Sequence, residues 1–139
     1  VCAIEDQSSG IRWYNGNYTT TGARSSAIGA GSANTAKIIA SQGATETAYA
    51  AGLARAYNGG GYTDWFLPSR FELNQMHKNK ATINTTATAN SGSNFTNNYY
   101  WSSTEFGYYE AFFQVFSGGG DQYWLDKGSA NDVRAVRAF

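Results

Sequence analysis

The feature that most constrains this chain is the run Gly61-Tyr62-Thr63-Asp64-Trp65-Phe66-Leu67-Pro68-Ser69. Its last six residues carry three structural instructions. The Trp65-Phe66-Leu67 segment is the end of a strand, and Pro68 fixes its own φ and cannot donate to a ladder, so it sets a turn. Ser69 is a strong helix N-cap, and Glu72 lies three residues on, which completes a capping box. Strand end, turn and helix start in that order predict a direct handover from β structure to a helix. Leu73 and Met76 fall on one side of that helix and should pack it on the core.

On either side of this run the pattern changes. Asn15-Gly16, inside the β-prone stretch Gly10–Thr20, predicts a hairpin with a type I′ turn, because both residues accept positive φ. Residues 21–34 are rich in Gly, Ser and Ala and read as a loop. Thr35–Ser41 predicts a short helix ended by Gly43, and Thr47–Tyr57 a second, stopped by Asn58-Gly59-Gly60-Gly61. After Asn90 the expected strands are Tyr99–Trp101, Ala111–Phe116, Gln122–Leu125 and Asp132–Phe139, with Gly118-Gly119-Gly120-Asp121 as a turn. On the second of these strands Phe112, Gln114 and Phe116 share one face, and Ala111, Phe113 and Val115 the other. Hairpin, helices, then an antiparallel meander predict an α+β fold, with short helices packed on antiparallel strands. At 139 residues the chain fits one globular domain, residues 1–139. Starting on Val1 and leading straight into a strand-like pattern, it reads as a domain of something longer.

Composition enters through what fills the core. Tyr 10, Phe 8 and Trp 4 stand against few Leu, Ile and Val, so the interior must be built from aromatic plates and small residues. Formal charge is zero, with 10 basic and 10 acidic groups, which leaves no whole-protein field for nucleic acid. Cys2 is the single cysteine, so no internal disulfide forms and the thiol reads as inert. No apolar run is long enough to span a membrane, and no signal peptide is present.

Catalysis finds no support in the residues. His77, the lone histidine, sits at a helix end beside Lys78 with no motif to partner it. Glycine runs lack a P-loop ending. Asp121, Asp126, Asn131 and Asp132 are oxygen donors near turns, which leaves calcium open, but their spacing is not that of an EF-hand. Surface binding remains. His77-Lys78-Asn79-Lys80 is a basic cluster entering a Thr/Asn/Ala loop, and its ammonium groups suit sulfates or carboxylates on a polymer. Phe106-Gly107-Tyr108-Tyr109-Glu110 carries aromatics in a loop between strands, where tyrosines offer contact area to sugar faces. The candidate ligand-binding residues are therefore Lys78, Lys80, Lys127, Arg12, Tyr108 and Tyr109. Arg134 and Arg137 point to opposite faces of a strand, and at least one should turn inward to a carboxylate such as Asp64 or Glu72.

Three ordered blocks carry a resemblance: the opening run, Tyr100-Trp101-Ser102-Ser103-Thr104-Glu105, and Val133-Arg134-Ala135-Val136-Arg137-Ala138-Phe139. Together with Asn34-Thr35-Ala36-Lys37-Ile38-Ile39-Ala40 and Gln42-Gly43, they resemble the Lcl C-terminal domain family over about residues 30–139. The resemblance implies a C-type-lectin-like α+β domain, more loosely related to the formylglycine-generating-enzyme architecture. The paired cysteines of that enzyme branch are missing, so no enzyme activity is carried over. It also implies export to the bacterial cell surface, a place after a collagen-like stalk, and hence a homotrimer, because a collagen helix needs three chains. The ligand it implies is sulfated glycosaminoglycan, and threefold repetition would enlarge a small basic cluster. Two alternatives stay open: a trimerisation knob for the stalk, and a lectin-like domain for a neutral glycan or a protein.

Overall fold

In the computed structural model, which describes residues 1–43 and 45–138, the predicted α+β class is borne out. The strands are β1 (Ser8–Ile11), β2 (Tyr99–Glu105), β3 (Glu110–Val115), β4 (Gln122–Asp126) and β5 (Asn131–Val133). They form one open sheet in the order β1-β5-β2-β3-β4. All neighbours are antiparallel except β2 and β5. The helices are α1 (Gly31–Gln42), α2 (Ala50–Ala56), α3 (Arg70–Lys78) and α4 (Lys80–Ala89).

Side chains alternate across the strands, so each face of the sheet has its own core. Trp101 and Phe113 belong to the cluster built with Ile38 of α1, Ala50, Ala51 and Ala54 of α2, and Trp13. Tyr100 belongs to the other, with Leu73 and Met76 of α3, Phe95 and Phe116. Gln114, the neighbour of Phe113 in β3, reaches Asn74 of α3. Helices therefore cover both faces, and small residues on α2 let it approach closely.

The handover at Ser69 forms as the run predicts. Ser69 accepts from the Glu72 N–H, and the Glu72 carboxylate accepts from the Ser69 N–H at 2.8 Å. Glu72 is fully buried, and its second oxygen accepts from the Gly29 N–H at 2.7 Å. That bond ties the 25–31 segment to α3, and a Cβ at Gly31 would collide with the same carboxylate. One local motif thus fixes a long-range contact.

Three expectations are corrected. The Gly10–Thr20 hairpin does not form: β1 ends at Ile11 and pairs with β5. Asn15 is instead held by Gln42 at the end of α1, through its own N–H and its side-chain amide, both at 2.7 Å. Residues 80–89, expected as loop, are the helix α4. Its threonines return their hydroxyls to carbonyls four residues back, as Thr85 does to Ala81 and Thr86 to Thr82. Finally, the last strand stops at Val133, and Val136 makes isolated bridges to Cys2 and Phe66. Its expected end, Phe139, lies outside the described residues.

The other boundaries moved by a few residues. The first helix starts at Gly31, four residues before Thr35, and Gly43 ends it at φ 89° as expected. The second is divided at Tyr49, whose extended backbone separates a 3-10 turn (Glu46–Ala48) from α2.

Candidate functional site: the aromatic end of the sheet

The β2–β3 turn closes when the Phe106 and Gly107 N–H groups both donate to the Glu110 carbonyl. This pushes four consecutive residues beyond the sheet, and Tyr108 and Tyr109 project from it, exposed. Register supplies the rest. Phe112 sits directly opposite Trp124 across β3 and β4, so the two rings share a face. Phe106 stacks on Trp124, with centroids 4.5 Å apart and planes 3° from parallel. Phe112 meets both edge-on. Arg70, the first residue of α3, lays its guanidinium 4.2 Å over Phe112.

Behind Tyr108 and Tyr109 stands a second pair of rings. Tyr18 lies 5.0 Å from Tyr109 and 6.1 Å from Tyr108, and Tyr14 lies 4.8 Å from Tyr18. The Tyr18 hydroxyl donates to Asp126, which also accepts from the Gly128 N–H at 2.7 Å. That carboxylate raises the Tyr18 pKa well above the usual phenol value, so the ring stays a neutral donor. Arg12 stands 5.8 Å from Tyr14 and gives one nitrogen to the Asn15 carbonyl. Arg24 gives one to the Phe106 carbonyl at 2.9 Å. The result is a rim made of two groups of rings, Phe106, Phe112 and Trp124 in one and Tyr14, Tyr18, Tyr108 and Tyr109 in the other, joined through the 106–109 turn and with arginines at the margins.

Of the predicted binding residues, the structure brings Arg12, Tyr108 and Tyr109 together on this rim. Lys78 and Lys80 lie elsewhere. Lys80 donates to the Phe116 carbonyl, just past the far end of β3, which at ~3.4 Å per residue is about 20 Å from Glu110. Lys78 is exposed there, while Lys80 is half-buried and already has an acceptor. Beside them His77 packs edge-on against Phe116, and burial, then the Lys80 charge, lowers its pKa.

Lys127 is corrected outright. It is buried, 1% exposed, with its ammonium on Glu105 at 2.8 Å, on the Thr19 carbonyl at 2.9 Å, and over Trp13. Burial lowers its pKa and Glu105 opposes that shift. No ligand reaches this amine in the folded chain. The terminal arginines divide as expected, with partners rearranged. Arg134 turns inward to Asp6, and Arg137 pairs with Asp64 at the surface over Tyr62. Glu72 serves the helix cap.

The four oxygen donors considered for calcium do not converge. Asp121 and Asp126 flank opposite ends of β4, and Asp132 is buried in β5, where it accepts from Thr96. Among the described residues no three His, Cys, Asp or Glu side chains form a cluster. Cys2 is half-buried, and burial pushes its thiol up to about 12, out of the reactive range. Phe112, Trp124, Arg70, Arg24, Tyr14 and Tyr18 were not among the sequence candidates. The signal for Trp124 was present in the strand alternation, but its partner depended on a register no single sequence displays.

What fold and surface define is an α+β domain with an exposed aromatic rim at one end of its sheet. The chain belongs to the Lcl C-terminal domain family, whose profile matches residues 2–137 and so reaches well into the first thirty residues. No curated protein matches the chain. Membership is consistent with an adhesin-associated domain of a surface-exposed or secreted protein. Among the described residues no helix is long and apolar enough to cross a membrane.

Proposed function

We propose that this domain is the ligand-recognition module of a bacterial surface adhesin, and that it binds sulfated glycosaminoglycans through the aromatic end of the sheet. The observation that carries this is the exposed Phe106–Trp124 stack with the Arg70 guanidinium beside it. Rings of this kind take the apolar faces of sugars, and guanidinium groups take anions through paired hydrogen bonds. Arg12 and Arg24 extend the same surface at its margins. On a collagen-like stalk three copies would present three such rims, and avidity would then add to a modest single-site affinity. Lys78 becomes a peripheral contributor, and no metal takes part.

Heparin affinity measured against salt tests the electrostatic part. Raising NaCl from about 0.1 M to about 1 M shortens the Debye length from roughly 10 Å to roughly 3 Å and should release the polymer. Arg24→Ala should weaken binding several-fold. Affinity that ignores both changes would sink the polyanion reading.

A second reading is favoured by a specific observation. Asp126 and Glu110 face each other across β4 and β3 within the same end of the sheet, and formal charge is zero. A rim of Tyr, Trp and Arg with acidic neighbours also suits a protein or a neutral glycan, in a lectin-like role. Saturable, salt-insensitive binding that needs Trp124 would support it. A folded trimer with no affinity for polyanion, neutral glycan or protein would leave the stalk-registering knob.

A further inference from the structure

At the end of β2 away from the aromatic rim, three segments meet around a polar pocket of about 270 Å³. Ser9 comes from β1, Asn97, Asn98 and Tyr99 from the start of β2 and the turn before it, and Asn131 and Asp132 from β5. Tyr99 and Glu105 are the two ends of β2, so at ~3.4 Å per residue about 20 Å separates this pocket from the rim.

The walls are held before any ligand arrives. The Thr96 hydroxyl donates to Asp132 Oδ2 at 2.6 Å and accepts from the Asn98 N–H at 3.2 Å. The Asn98 carbonyl accepts from the Phe116 N–H at 3.0 Å. These bonds pin the 96–98 turn to β5 on one side and to the end of β3 on the other. The Tyr99 ring rests on Phe113, centroids 4.7 Å apart, and still keeps 45% of its surface exposed. Asn131 pairs in register with Ile11 of β1 and is 4% exposed, yet among the described residues its Nδ2 has no hydrogen-bond partner. A buried amide donor left unpaired is costly, and the χ2 torsion of asparagine is broad, so this amide turns to an acceptor that reaches the pocket floor.

The lining sorts ligands by charge and shape. Among the described residues no Lys, Arg or His lines the pocket, and its one carboxylate, Asp132, already has an oxygen engaged by Thr96. An anion finds no counter-charge there, and a bare cation finds a single free carboxylate oxygen. Three amides and a hydroxyl instead set donors and acceptors side by side, which suits sugar hydroxyls, each of them both donor and acceptor. Tyr99 adds a flat wall for the apolar face of a ring. The volume lies just under the ~300–1,000 Å³ of pockets for drug-sized ligands, so it suits one ring and not a length of polymer. We propose that this pocket is a second binding site, distinct from the aromatic end, and that it takes a single neutral pyranose. The ring lies on Tyr99, and its hydroxyls bond Asn98, Asp132 and the Asn131 amide. Such a site is independent of what the rim binds.

The test titrates the isotope-labelled domain with the methyl glycosides of glucose, galactose, mannose and N-acetylglucosamine, to about 50 mM each, and follows its amide resonances by NMR. Saturable shifts at Asn98, Tyr99 and the Asn131 side-chain amide are expected with at least one of the four, while Tyr108 and Trp124 stay still. Asn131→Asp removes the amide donor at constant shape, and Asn98→Ala alters an exposed residue, so the second stays informative should the buried substitution disturb the fold. Each should weaken the bound sugar about fivefold or more. The corresponding uronate, the same ring with a carboxylate added, should bind more weakly, and excess heparin should leave the sugar in place. No saturable shift with any of the four sugars would overturn the proposal. So would shifts centred on Trp124, affinity held within twofold by folded Asn98→Ala, a uronate that binds as tightly as the neutral sugar, or displacement of the sugar by heparin.

Discussion

Trp13 and Trp124 present the same side chain to two different environments. In the core, Trp13 is fully buried and its Nε1 donates to the Ser102 carbonyl at 2.8 Å. Trp101 does the same to Ile11, Tyr49 to Gly43, and Tyr100 to Asp6. At the sheet end, Trp124 is 47% exposed, Tyr108 48% and Tyr109 58%, and among the described residues none of their ring polar atoms has a protein partner. The interior rings have spent their hydrogen-bonding capacity on backbone carbonyls and one carboxylate, so they lock distant segments together. The exterior rings keep theirs. A buried tryptophan N–H must be paired because leaving it unpaired is costly, while an exposed one can wait for a ligand.

The largest expected effect probes that difference directly. Trp101→Ala removes a core plate and orphans the Ile11 carbonyl, and should cost about 3–5 kcal/mol, read from the urea midpoint. Trp124→Ala should stay within about 1 kcal/mol of wild type while lowering heparin affinity at least tenfold. If Trp124→Ala unfolds as readily as Trp101→Ala, the rim is part of the core and the division fails. Lys127→Met comes next. It leaves the Glu105 carboxylate buried with only Thr21 and Gly22 donors, and should cost about 3–5 kcal/mol in the same measurement. Affinity per folded molecule should not change, and a selective loss of binding would return Lys127 to the site.

A smaller effect separates the two ends of β3. Lys78→Ala should alter heparin affinity less than twofold, because that exposed residue ends α3, about 12 Å along the helix from Arg70 at its start. A loss equal to that of Trp124→Ala would move the binding surface to the lysine end.

How much of this was legible follows from how far each signal reaches along the chain. Ser69 and Glu72 are three residues apart and decide their own geometry, so the helix start could be read directly. The Asn15 turn failed because the competitor, Gln42, lies 27 residues away and wins by satisfying two polar groups at once. Helix α4 was hidden by its threonines, which weigh against helix in isolation but here return their hydroxyls to the helix itself. The site shows the same division. Tyr108 and Tyr109 were legible as a loop between strands. Arg70 was not, since its meaning depends on lying over Phe112, 42 residues later, from the other side of a turn. Lys127 was misread for the converse reason: nothing local announces that Glu105 and Thr19 will enclose it.

The smallest prediction uses the one histidine to ask whether the two ends act independently. Burial and the Lys80 charge hold the His77 pKa below its ordinary value of 6.5. Between the folded value and 6.5 the unfolded chain binds more protons than the folded one, so stability rises with pH across that window and is lost as pH falls below about 6.5. The ring is half-exposed, and with solvent screening the loss should be roughly 0.5 kcal/mol or less. Replacing His77→Gln should flatten this acid limb in a thermal melt series. Heparin affinity of the wild type should meanwhile stay level between about pH 7.5 and about pH 5.5, because the rim contains no histidine. Should protonation of His77 instead change heparin binding in the wild type and not in His77→Gln, the lysine end would share the ligand with the aromatic end. The ligand would then have to run the length of β3, past Gln114 and the α3 helix, to touch both.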